Sequence, residues 1–137
     1  MAKLRLSGFD ITAVHNHLME ETPKVLYLHY MGHGPAAQLA TSLRAALSVS
    51  KTPLEKPAAA AEEPAPPAWV KTVEDAVGRK GTYKGGVLSY GMPRSDTITM
   101  AGMTITPAAG VGEAINFQAA DSGNVATTGD FVLTADE

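Results

Sequence analysis

All four histidines of this 137-residue chain, His15, His17, His29 and His33, fall within "ITAVHNHLMEETPKVLYLHYMGHG", Ile11 to Gly34. The neutral imidazole nitrogen is the commonest protein ligand for transition metals. The chain has no cysteine, which excludes thiolate zinc sites, cysteine nucleophiles and thiol switches. Soft metal chemistry would therefore have to rest on histidine and methionine. Three imidazoles converging on one ion suit Zn²⁺ or Cu²⁺ and leave a coordination position open for water or substrate.

Such convergence needs elements that aim the rings. Alternating apolar and polar residues predict a strand from Asp10 to Met19, a turn over Glu20–Lys24 containing Pro23, and a second strand from Val25 to about Met31. Side chains alternate faces along a strand, so Ile11, Ala13, His15, His17 and Met19 share one side of the first strand. Val25, Tyr27, His29 and Met31 share one side of the second. A three-residue loop would put opposed positions in matching parity and all these histidines on one face, whereas a two- or four-residue loop would split them.

Along a strand His15 and His17 lie about 6.5 to 7 Å apart, and His29 across the hairpin would come within about 5 Å of one of them. His33 is about 13 Å beyond His29 if the strand stays extended, so it joins only if Gly32 bends the chain back. Met19 and Met31 on the same face tilt the choice towards copper, whose reduced state accepts thioether sulfur. Glu20, Glu21 and Glu113 are the carboxylates considered as a further ligand or as a base for metal-bound water. Three readings follow: a metal-binding or sequestration module, a metal-dependent hydrolase or oxidase using Glu21 or Glu113 as base, and a metal-free structural or interaction domain whose histidines bond to backbone.

Other motifs carry less. "HNH" lacks the spread of residues that defines the nuclease signature of that name. "GMPRSD", Gly91 to Asp96, reads as a turn with an Arg94–Asp96 surface ion pair. "PAAGVGEA", Pro107 to Ala114, has neither dinucleotide nor phosphate-loop spacing and reads as a flexible loop. Ser89, Ser95 and Ser122 sit in no Gly-x-Ser-x-Gly elbow, so a serine hydrolase finds no support.

A formal charge of −3 without a Lys/Arg stripe gives no footprint for a phosphate backbone, so no nucleic-acid partner is expected. No apolar run approaches the roughly 20 residues of a membrane span, and "MAKLRLSGFD" lacks the apolar core of a signal peptide. "TPLEKPAAAAEEPAPPA", Thr52 to Ala68, is a Pro/Ala-rich linker between lobe 1–51, a hairpin plus helix, and lobe 69–137, a helix plus strands. In the first lobe "AKLRLSG" reads as helical turns ending at Gly8. Gly34 and Pro35 open a helix whose apolar stripe is Ala36, Leu39, Ala40, Leu43 and Leu47.

In the second lobe Trp69, Val73, Ala76 and Val77 mark a helix ending at Gly78 to Gly81. Strands follow at "GGVLSYGM", "DTITMAGMTIT", "EAINFQAAD" and "NVATTGDFVLT". Both lobes together are expected to make one α+β domain, with an antiparallel or mixed sheet and two helices packed on one face. The final "ADE" is an acidic cluster of the kind that begins a helix.

The segments "ITAVHNHLMEETPKVLYLHYMGHG", "LATSLRAAL", "VGRKGTYKGGVLSYGMPR" and "GVGEAINFQAADSGNVATTGDFVLTADE" together resemble the bacterial LppY/LpqO family, a domain of unknown function. The resemblance covers nearly all of the chain except the linker. It implies an exported protein or lipoprotein, periplasmic or secreted, often with two copies of the unit, and brings no established activity. In that family the "GDFVLTADE" strand leads into a helix and then the "TAVHNH" strand. Segment order here therefore implies a permuted or truncated unit, completed by its own first residues or by a neighbouring chain in a homo-oligomer.

Overall fold

The computed structural model describes residues 1–56 and 63–137, so residues 57–62 of the expected linker lie outside the described residues. The chain divides into two compact units, Met1–Ala60 and Ala61–Glu137. The secondary structure is α+β, and every strand pairing is antiparallel. Among the described residues the strands form three separate sheets instead of the expected single one.

In the first unit, α1 (Ala2–Leu6) ends at Ser7 and Gly8, the latter at φ +85°. A Cβ at that angle is disfavoured, which explains why the helix stops at a glycine. Then follow β1 (Asp10–His15), β2 (Tyr27–Met31) and α2 (Ala36–Leu47). α2 matches the expected stripe, with Pro35 in the extended conformation just before its first residue. β1 pairs with β2 through His15↔Tyr27, Val14↔Leu28 and Ala13↔His29, and a bulge at Thr12 shifts the ladder so that Ile11 meets Tyr30.

The bulge has a structural consequence. Ile11 is moved off the histidine face, where sequence parity had put it, to the side of Tyr30 and Leu28. That side is the apolar one. Phe9, the single buried hydrophobic residue of this unit among the described residues, meets Tyr30 edge to face with ring centroids 5.5 Å apart. A Cβ on Gly32 would fall 2.4 Å from the Phe9 ring, so a glycine is required where this segment crosses it.

In the second unit, α3 (Ala68–Val77) closes on Gly78 at φ +74°, as a left-handed cap requires. The strands are β3 (Thr82–Lys84), β4 (Val87–Pro93), β5 (Ile98–Met100), β6 (Met103–Ile105), β7 (Gly112–Ala119) and β8 (Val125–Asp130). β3-β4-β7-β8 form a four-stranded sheet, while β5 and β6 make a separate hairpin inside what reads from sequence as one strand, "DTITMAGMTIT". The break comes at Ala101–Gly102, both at positive φ. "PAAGVGEA" is a 3₁₀ turn, Pro107–Ala109, followed by the start of β7.

Alternation along β4 and β7 puts Leu88, Tyr90, Met92, Ile115 and Phe117 on one face through the pairs Leu88↔Phe117 and Tyr90↔Ile115. Val70 of α3 completes a buried cluster with Leu88 and Tyr90, with Trp69, Val73 and Tyr83 packed around it. β8 stops at Asp130, short of the expected Thr134, because the chain leaves the ladder for polar anchors. Arg94 donates to the Val132 carbonyl, and the Val132 N–H donates to Glu113 Oε2 at 3.0 Å. Among the described residues no helix is long and apolar enough to cross a membrane.

Candidate metal site

The hairpin presents an apolar face to its own unit and a histidine face on the other side. Because the loop from Asn16 to Leu26 holds an odd number of residues, the matching parity expected for a three-residue loop is kept by a much longer one. Ala13, His15, Tyr27 and His29 therefore project to one side. His15 sits opposite Tyr27, and His29 is diagonal to His15, with ring centroids 4.9 Å apart.

His17 reaches the same place by another route. β1 ends at His15, not at Met19 as expected, so His17 is a loop residue. Its ring folds back until His17 Nε2 is 2.8 Å from His15 Nε2, far closer than the ~6.5 Å repeat of an extended strand would suggest. At that distance one ring nitrogen donates and the other accepts, the tautomers deciding which. One ligand atom from each of His15, His17 and His29 lies within 4.8 Å of the others. His15 and His17 are half-buried and His29 is exposed, leaving an approach from solvent.

An ion about 2.0 to 2.1 Å from each nitrogen requires nitrogens no more than about 4.2 Å apart, and about 3.3 Å apart on a tetrahedral zinc. From 4.8 Å the widest separation must therefore close by about 0.6 Å to admit an ion at all and by about 1.5 Å for a tetrahedral zinc, while the hydrogen-bonded pair, at 2.8 Å, must open by about 0.5 Å. Both changes are within the reach of side-chain rotation. The rings are also nearly parallel, with interplanar angles of 19° for His15–His17 and 23° for His15–His29. With centroids 4.8 Å apart and Nε2 atoms 2.8 Å apart, the His15 and His17 rings meet edge to edge, so an ion would enter between nitrogens that already face each other. The residues fit a three-imidazole site that completes its geometry on binding.

The remaining candidates are placed elsewhere. His33 is exposed, past the end of β2, and outside the group of three. Met19, expected on the histidine face of β1, lies in the loop beyond that strand and is 91% exposed. Met31 keeps its place on the His29 side of β2, opposite Asp10. Glu20 is exposed. Glu21 fastens the loop, accepting from the Val25 N–H at 3.1 Å and from Lys24 Nζ at 3.2 Å, while Lys24 also donates to the Met19 carbonyl at 3.1 Å. The Val25 N–H foremost, with Glu21's own N–H and the Lys24 ammonium, holds its carboxyl below the usual carboxylate range. A carboxylate so engaged is a poor general base. Glu113 belongs to the second unit, where it holds Val132.

One residue escaped the sequence reading. Tyr27 stacks on His17 with centroids 3.9 Å apart at 22°, closer than any pair of histidine rings, and lies 6.2 Å from His15. Its parity with His29 was the available signal, but a tyrosine on a strand reads first as packing.

The family described as Domain of Unknown Function (DUF1259) matches residues 1–49 and 71–137. The chain belongs to this family. No curated protein and no solved structure matches it.

Proposed function

We propose that this chain binds one divalent transition-metal ion, Zn²⁺ or Cu²⁺, through His15, His17 and His29, as a binding or sequestration module. The observation that carries the reading is the approach of three imidazole nitrogens to within 4.8 Å on one solvent-facing side of a hairpin. His33 is the candidate fourth ligand, reached only by rearranging the 32–34 segment. A hydrolase or oxidase reading has less support, because Glu21 is committed to its own loop. The resemblance of the quoted segments to the LppY/LpqO family supports a periplasmic or secreted location.

The test is elemental analysis of protein purified without a histidine tag and equilibrated with Zn²⁺ or Cu²⁺, then dialysed. The expected result is close to one ion per chain for the parent and none retained by His17→Ala or His29→Ala at unchanged secondary structure. A parent protein that retains no ion, or variants that retain it fully, would overturn the proposal.

A further inference from the structure

We infer that the first unit binds a single-chain anionic amphiphile, a medium-chain fatty acid carboxylate, in a cavity of about 270 Å³ on the side of the hairpin away from the histidines. Packing on that side is finished at one end only. Phe9 meets the Tyr30 ring and, with Leu39, crowds Gly32. At the other end Leu4 of α1, Leu28 of β2, Leu43 and Leu47 of α2, and Val49 just beyond it line a space that no described side chain fills. None of these five is buried. Protein interiors are close-packed, and atoms lining a void forgo the dispersion contacts a neighbour would give them. An alkyl chain in this space supplies that neighbour.

The polar groups at the cavity select the head. Lys3 is the one charged side chain lining it, and none of the acidic residues of this unit's described part, Asp10, Glu20, Glu21 and Glu55, does so. On α1, α2 and the turn after α2 the charged residues are Lys3, Arg5, Arg44 and Lys51, all basic. Ser50, the other polar residue of the lining, already donates its hydroxyl to the Leu47 carbonyl at 2.7 Å. The carbonyls of Arg44, Ala45 and Ala46 likewise accept from Ser48 and Val49. The rim thus presents an ammonium and no carboxylate, which suits an anionic head and disfavours a cationic one. Size sets the chain. Counting a methylene at roughly the 30 Å³ that one water takes in the liquid, the cavity holds about nine, the chain of decanoate.

The experiment titrates the full chain with decanoate, below the concentration at which it forms micelles, while following the methyl resonances of Leu28, Leu43 and Ala46, the last also in the lining. Saturable one-to-one binding is expected. Octanoate, two methylenes shorter, should bind about fifteenfold more weakly, at about fourfold for each buried methylene. Lys3→Gln should weaken decanoate about fivefold, as loss of an exposed ion pair at the top of its usual range would, and leave decanol unchanged. Ala46→Phe, which fills the cavity, should block both at unchanged secondary structure. A parent that binds no decanoate would overturn the proposal, whether the space is taken by another segment of this chain or by a second copy in a dimer. Decyltrimethylammonium binding as tightly as decanoate, or Lys3→Gln keeping parental affinity for decanoate, would overturn the choice of an anionic head. Parental decanoate binding by a folded Ala46→Phe protein would overturn the cavity as its site.

Discussion

The two units of this chain spend their apolar residues differently. The second builds a core on one sheet face: Leu88 is fully buried, Val70 and Tyr90 nearly so, and six more side chains pack around them. In the first, Phe9 alone is buried among the described residues, α2 buries none of its side chains, and the histidines occupy the hairpin face opposite Leu28 and Tyr30. The difference shows where each kind of residue is answerable. Burial of apolar surface is what stabilises a fold, while a cation site needs access and movable rings. The chemistry-bearing residues here sit on the unit with the thinner core.

The sharpest way to break that comparison is to strike both cores. Leu88→Ala removes a fully buried side chain beneath α3 and should cost about 3 kcal/mol, read as a lowered denaturant midpoint. A loss below about 1 kcal/mol would show that the cluster is not the core it looks like. Gly32→Ala in the first unit pushes a Cβ to 2.4 Å from the Phe9 ring and should cost about 1 to 3 kcal/mol by overpacking. Its effect should be relieved in part by Phe9→Leu, which a thermal unfolding comparison of the single and double variants would show.

Smaller effects sharpen the contrast. His29→Ala, on an exposed ring, should change stability by no more than about 0.5 kcal/mol while abolishing metal retention; a large loss of stability would recast the histidines as structural. The least costly test concerns the tail. Asp96 and Glu137 both pair with Arg94, at 2.8 Å each, and the Arg94 guanidinium, with the N–H and hydroxyl of Thr134, holds the Glu137 carboxyl down at about 2. A carboxyl depressed in the folded state from an ordinary 4.5 contributes stability that is fully present above the ordinary value and lost as pH falls through the folded one. The tail contacts should therefore loosen between about pH 4.5 and pH 2, followed by the carboxyl resonance of Glu137. Because the group is exposed, the effect on global stability should be slight.

Much of this was legible in the residues. The period of Ala36 to Leu47, the glycine stops at Gly8 and Gly78, and the alternation of β4 and β7 follow from local rules that the structure obeys. The gathering of His15, His17 and His29 was legible too, but for a partly different reason. Strand parity explains His15 and His29, while His17 arrives through a loop return and a ring stack that no alternation rule encodes. The Thr12 bulge and the hairpin break at Ala101–Gly102 were hidden because each depends on a ladder partner or a backbone angle. The single-sheet expectation failed for a related cause: alternation says that a strand wants neighbours, not which ones.

The central claim is that three imidazoles on one side of the hairpin take one ion together. It is tested most directly by titrating metal-free, tag-free protein with Zn²⁺ while following the ring resonances of all four histidines. The account predicts saturation at one equivalent, with His15, His17 and His29 moving together and His33 little changed. Rings that titrate independently, or that stay where they are at saturating Zn²⁺ and again at saturating Cu²⁺, would contradict it.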